Sequence, residues 1–156
     1  MEILNSRRIT GPSLFTEFPG AMIEVQVPNS IQDEAVQAWG RSVRRYLNAV
    51  GWGQSTTLTR KYENGISLYF SAPIDVLYAA CEINEAAWQL ALSEMNSESS
   101  ASFPEDVNRL KKEIEDELNP SILALKEASI QNKVRFFQSD DMVSVGTGKG
   151  SHSFDV

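Results

Sequence analysis

The stretch PIDVLYAACEINEAAWQLALSEM, residues 73–95, sets the frame for reading the whole chain. It is the longest strongly helical pattern present, and it is apolar almost all the way round. At about 100° per residue, Ile74, Leu77, Tyr78, Cys81, Trp88, Leu92 and Met95 fall on one stripe. Glu85 projects into the middle of that stripe, and Asn84 lies on its margin. Val76, Ile83, Ala87 and Leu90 cover much of the opposite side, which is the pattern of a helix buried by its neighbours. A carboxylate on such a face needs a partner, because a dry unpaired charge costs on the order of several kcal/mol.

Outward from this helix, the chain reads as one α+β domain in which a mixed or antiparallel β-sheet is packed by two long helices. A C-terminal helical pair follows. Residues 21–27 alternate in the β manner, with Ala21, Ile23, Val25 and Val27 on one face against Met22, Glu24 and Gln26. Residues 7–10 fit a short strand, and residues 11–20, bounded by Gly-Pro and Pro-Gly, fit an ordered loop that packs Leu14, Phe15 and Phe18. Residues 31–50 form the first long helix, with Ser30 as N-cap and Gly51 as the left-handed residue at its end.

A hairpin follows around Glu63-Asn64-Gly65. A three-residue loop with Gly65 in the left-handed position pairs Arg60 with Leu68 and makes the apolar faces coincide. Arg60 then falls on the inward face as a second buried-charge suspect. Pro73 suits the first turn of the 73–95 helix, and Asp75 complements its dipole. Residues 96–102 read as a polar connector. A capping box at Ser102 and Glu105 opens a helix striped by Val107, Leu110, Ile114 and Leu118. Asn119-Pro120 starts another, ending near Asn132. The domain is expected to run over residues 1–138. Residues 139–156 are expected as a terminal strand, entered through Asp140-Asp141, and a glycine-rich tail that frays.

Composition limits the function. A chain of 156 residues with 42% hydrophobic and 22% charged residues is long enough to bury a core without disulfides or metals. The net charge of −7 argues against nucleic acid, although Arg41, Arg44 and Arg45 cluster in sequence. No run reaches the roughly 18 apolar residues of a membrane span, and no apolar signal region opens the chain, so a cytoplasmic location is expected. Cys81 is the only cysteine, on the apolar stripe, and reads as an inert thiol. His152 is the only histidine and lies in the tail, which argues against a Ser-His-Asp triad and two-histidine metal sites. A phosphate loop in GTGKGS would need glycine where Val143 stands, so no nucleotide cofactor is expected. Glu82 and Glu85 stand three apart on one helix, about 60° apart in direction. They can grip a cation, or Glu85 can pair with Arg60 or Arg8.

Several stretches taken in order resemble a known domain. Arg7-Arg8-Ile9-Thr10-Gly11-Pro12-Ser13 resembles the R-x-x-x-G-P-N opening of the N-terminal domain of cyanophycin synthetases and their Mur-ligase-like relatives. The strand after Pro19-Gly20, then Ala49-Val50-Gly51-Trp52, Ser71-Ala72-Pro73-Ile74-Asp75 and Glu82-Ile83-Asn84-Glu85 fit the same pattern, as does Val145-Gly146-Thr147-Gly148 near the end. The resemblance implies a non-catalytic domain that holds an amino-acid or peptide polymer, or docks, for an ATP-dependent ligase module downstream or separate. It implies that the chain alone does not activate a carboxylate with ATP. It marks Arg7, Arg8, Arg60, Glu82, Asn84 and Glu85 as substrate-binding. The arginines would meet carboxylates, and Asn84 and Glu85 would meet amide or amino groups. Relatives that carry His and Glu on the matching helix suit a metal for peptide hydrolysis. Here that helix has no histidine, and no metal is expected. Two alternatives stand beside this reading: a small metal-dependent peptide or amide hydrolase using Glu82 and Glu85, and an assembly module that binds a ligase subunit or a copy of itself.

Overall fold

Strands β1 (Ile3–Ile9), β2 (Gly20–Gln26), β3 (Thr57–Tyr62) and β4 (Gly65–Ser71) make one antiparallel sheet in the order β1-β2-β4-β3. The computed structural model describes residues 1–97, 103–139 and 142–155. From β2 the chain passes through helix α1 (Gln32–Ala49) to β3, and β4 then inserts between β2 and β3. Helix α2 (Leu77–Met95) follows. The fold is α+β, as expected, and the sheet is antiparallel throughout.

Alternation along the strands decides which sheet face is covered. Ala21, Ile23 and Val25 of β2 and Ile66, Leu68 and Phe70 of β4 are buried in one core with Trp39, Val43 and Leu47 of α1 and Ala80, Ile83 and Ala87 of α2. Removing that apolar surface from water is the main stabilising term. The buried face of α2 is rotated from the expected stripe. Ala80, Ile83, Asn84, Ala87 and Ala91 are buried, whereas Tyr78 is exposed and Cys81 and Glu85 are half-buried. Small alanines let the helix lie close to its neighbours, so they, rather than the bulkiest side chains, mark the inner face.

The helix ends also differ from expectation in how they are satisfied. Ser30 is no cap: Asn29–Ile31 form a 3-10 turn, and α1 begins without a side-chain cap. Gln32 instead uses its amide Nε2 to reach the Tyr62 carbonyl at 2.9 Å and the Asn29 Oδ1 at 3.0 Å, tying the helix start to the hairpin. Gly51, at φ +88°, ends α1 as expected. Pro73 and Asp75 precede α2 rather than forming its first turn. The orphan amides of α2 are capped from another helix, α3 (Phe103–Glu117). Tyr78 N–H donates to Glu117 Oε1 at 2.8 Å, and Ala79 N–H to Glu117 Oε2 at 2.7 Å. Asp75 is buried and accepts from the Asn119 N–H at 3.3 Å, just before α4 (Pro120–Gln131).

The hairpin register corrects the expected one. Its loop is the residue pair Glu63 and Asn64, with Asn64 at φ 58°, and Tyr62 faces Gly65. Arg60 therefore pairs with Ser67 and is exposed on the face away from the helices, not inward. Gly65 does not have a positive φ; it lies against the exposed Tyr62 ring, which a Cβ there would push aside.

The tail does not fray over its described length. β5 (Phe136–Gln138), β6 (Met142–Val145) and β7 (His152–Asp155) form a second antiparallel sheet. Gly146 and Gly148, both at positive φ, turn the chain between β6 and β7. Val143 joins the main core. Residues 98–102 of the connector, Ser102 of the capping box, and Asp140-Asp141 lie outside the described residues. Among the described residues no helix is long and apolar enough to cross a membrane.

Candidate functional site

Because both long helices cover one face of the first sheet, its other face is left for the loop and for solvent. Cross-strand register sets two neighbouring rows at the centre of that face. One runs Arg7, Met22, Tyr69, Leu58, and the next runs Asn5, Glu24, Ser67, Arg60. Residues 11–19 fold over part of it. Phe15 stands edge-on to Tyr69 at 6.0 Å, and the Tyr69 hydroxyl donates to the Phe18 carbonyl at 2.9 Å. Thr16 Oγ1 donates to the same hydroxyl at 3.2 Å, and burial raises Tyr69 above the ordinary tyrosine range. Met22 and Tyr69 are thereby buried. The row ending in Arg60 stays open at Glu24 and Arg60, and Leu58 and Tyr62 are exposed beside it.

Arg7 and Arg60 thus share this open face, from opposite edge strands. Three strand spacings separate β1 from β3, about 14 Å. Arg7 pairs with Glu24 at 3.0 Å, both partly exposed. Among the described residues no carboxylate pairs with Arg60. A guanidinium without a partner in solvent is inexpensive to keep and ready to take a carboxylate. Glu24 was not among the expected site residues. Its signal is the polar side of the β2 alternation, where it stands between Met22 and Gln26.

The other four expected residues lie on the helical side. Arg8 faces α2, where its guanidinium lies over the Tyr78 ring at 3.7 Å. Asn84 is fully buried and fully engaged. It accepts from the Trp39 indole N–H at 2.9 Å and donates to the Leu68 and Ala21 carbonyls at 3.0 and 3.2 Å.

Glu82 and Glu85 line a cleft of about 380 Å³ with Gln89, Phe103, Asp106 and Arg109. Glu82 meets Arg109 at 3.5 Å, and the same guanidinium takes Glu113 at 2.6 Å. Among the described residues Glu85 has no hydrogen bond or ion pair, so neither Arg60 nor Arg8 serves it. No group of three or more His, Cys, Asp or Glu side chains is disposed around a metal position among the described residues.

At the back of this cleft, Tyr46 donates to Asp106 Oδ2 at 3.2 Å. Burial, reinforced by the Asp106 charge, pushes Tyr46 up to about 12. Cys81 is half-buried, and burial pushes its thiol up to about 11, with Glu85 adding to the shift. The arginines of α1 are also occupied. Arg44 donates to the Gly53 and Ser55 carbonyls, and Arg41 and Arg45 meet Glu94 of α2.

The six residues therefore do not form one site. Arg7 and Arg60 share the open sheet face, Glu82 and Glu85 share a cleft across the molecule, Arg8 lies against α2, and Asn84 holds the core together. No family model matches this chain, and no curated protein matches it.

Proposed function

We propose that the chain is a non-catalytic binding domain that holds an extended amino-acid or peptide polymer on the open face of its first sheet. It would serve an ATP-dependent amide ligase of the cyanophycin synthetase or Mur ligase type, in the cytoplasm. The observation that carries the reading is the pair of guanidinium groups, Arg7 and Arg60, on one solvent-facing sheet surface, with Arg60 lacking a protein carboxylate among the described residues. An extended peptide advances about 3.3–3.6 Å per residue, so carboxylates roughly four residues apart match the spacing of β1 and β3. Glu24, between the arginines, can accept from a peptide amine or guanidinium, and Tyr62 and Leu58 offer apolar contact.

Asn84 drops out as a ligand contact in this reading, because its amide is satisfied in the core. The ligase reading rests on the sequence resemblance. The polymer-holding reading rests on that resemblance and on the open face.

Calorimetric titration of the full chain with a peptide carrying two aspartates four residues apart tests the reading. Wild type binds, and the Arg7→Ala/Arg60→Ala variant binds at least tenfold more weakly, since a charge-assisted hydrogen bond contributes about 1.5–3 kcal/mol. Equal affinity for the two proteins, with unchanged melting, overturns it.

A further inference from the structure

A second recess opens at the end of the first sheet, where four segments distant in sequence meet. Trp52 from the loop after α1, Phe18 from the loop before β2, Ile74 from the turn before α2, and Leu123 and Lys126 from α4 wall a cleft of about 550 Å³. The wall is mainly apolar, and no Asp or Glu lines it. Lys126 is the one charged side chain in the lining.

Lys126 is half-buried, and among the described residues no carboxylate pairs with it. Burial lowers its ammonium from the ordinary lysine range, and the charge of Asp75 works against that shift. Asp75 is itself buried outside the cleft lining, with one oxygen taken by the Asn119 N–H. The Trp52 indole N–H has no acceptor among the described residues. Thr56 and Ser71, at the rim, are already bonded to each other at 3.2 Å. The cleft therefore offers an apolar wall and an ammonium with no ion-pair partner among the described residues.

We propose that this cleft binds a small organic carboxylate with an aromatic or aliphatic body, its charge held by Lys126 and its body against Trp52 and Ile74. An anion that carries its own apolar surface satisfies the ammonium and covers the wall at once. A neutral isostere does only the second, and a bare inorganic anion only the first. The site shares no residue with the open sheet face, so the two assignments stand or fall separately.

The test uses the full chain, 3-phenylpropionate as probe and 3-phenylpropanamide as its neutral match. Trp39 and Trp88 are buried in the core, so the indole that reports on the cleft is Trp52. 3-Phenylpropionate gives a saturable change in tryptophan fluorescence at millimolar concentration, absent in Trp52→Phe. The amide binds at least tenfold more weakly, and Lys126→Met removes the preference for the acid. Lys126→Gln, which keeps the polar end, repeats the measurement in case the methionine variant folds poorly. Equal binding of acid and amide, an acid preference surviving in both Lys126 variants, or no saturable change overturns the proposal.

Discussion

The Trp39 indole N–H donates to Asn84 Oδ1 at 2.9 Å in the layer between α1 and α2, and Asn84 spends its own amide hydrogens on β2 and β4 carbonyls. One side chain thus joins both helices to the central strand pair. Asn84→Ala leaves a buried N–H unpaired and a void beside it, and should destabilise the fold by about 3 kcal/mol. Denaturant titration checks this. A loss under roughly 1 kcal/mol would mean that water or a neighbour replaces the amide.

Glu117 caps α2 from α3, so it secures the interface between those helices as well as the helix start. Glu117→Ala should cost about 1–2 kcal/mol. Amide hydrogen exchange would show it most directly, through faster exchange at Tyr78 and Ala79 than in the wild type. Unchanged protection at both amides would remove Glu117 from that role.

Much of this architecture is legible in the sequence, for identifiable reasons. The apolar spacing of α1 and the alternation of β2 are local patterns, and both elements form close to where those patterns place them. The hairpin lies where it was expected, but its register does not. Tyr62 stands opposite Gly65 rather than Ile66, a pairing that matching apolar faces alone does not specify. β7 is exposed along its whole length and pairs only with β6, so no burial pattern announces it. The site divides the same way. Arg7 and Arg60 are conspicuous charges in strands, but only the strand order places them on one face. Lys126 and Trp52 are brought together by tertiary structure and carry no shared local signal.

Tyr46 gives a pH dependence with a definite sign. Its phenol is pushed up from 10.0 to about 12 in the fold, by burial first and Asp106 second. The folded state then holds a proton that the unfolded chain releases above about pH 10. The stability this group contributes is complete below pH 10 and declines as the pH rises towards about 12. Chemical denaturation at pH 9, 10 and 11 should show that fall, and Tyr46→Phe should make it shallower. A slope unaffected by the substitution would place the cause elsewhere, for instance at Tyr69.

Cys81 should be a poor nucleophile. With its thiol at about 11 rather than 9.0, the thiolate fraction at pH 7.5 is roughly a hundredfold lower than for an exposed cysteine. Alkylation by iodoacetamide should run at least about tenfold slower than with free cysteine. A rate equal to that of the free amino acid would contradict the burial of this side chain.

The central claim is that the open face of the first sheet is where ligand sits. Arg60 is exposed, so Arg60→Ala should change stability by no more than about 0.5 kcal/mol and be read as a binding variant. The most direct measurement is a backbone-amide NMR titration of the full chain with the two-aspartate peptide. The account predicts shifts concentrated at Arg7, Glu24, Arg60, Tyr62 and Ser67, and lost in the Arg7→Ala/Arg60→Ala variant. Shifts confined to the Glu82–Glu85 cleft, or none at saturating peptide, would contradict it.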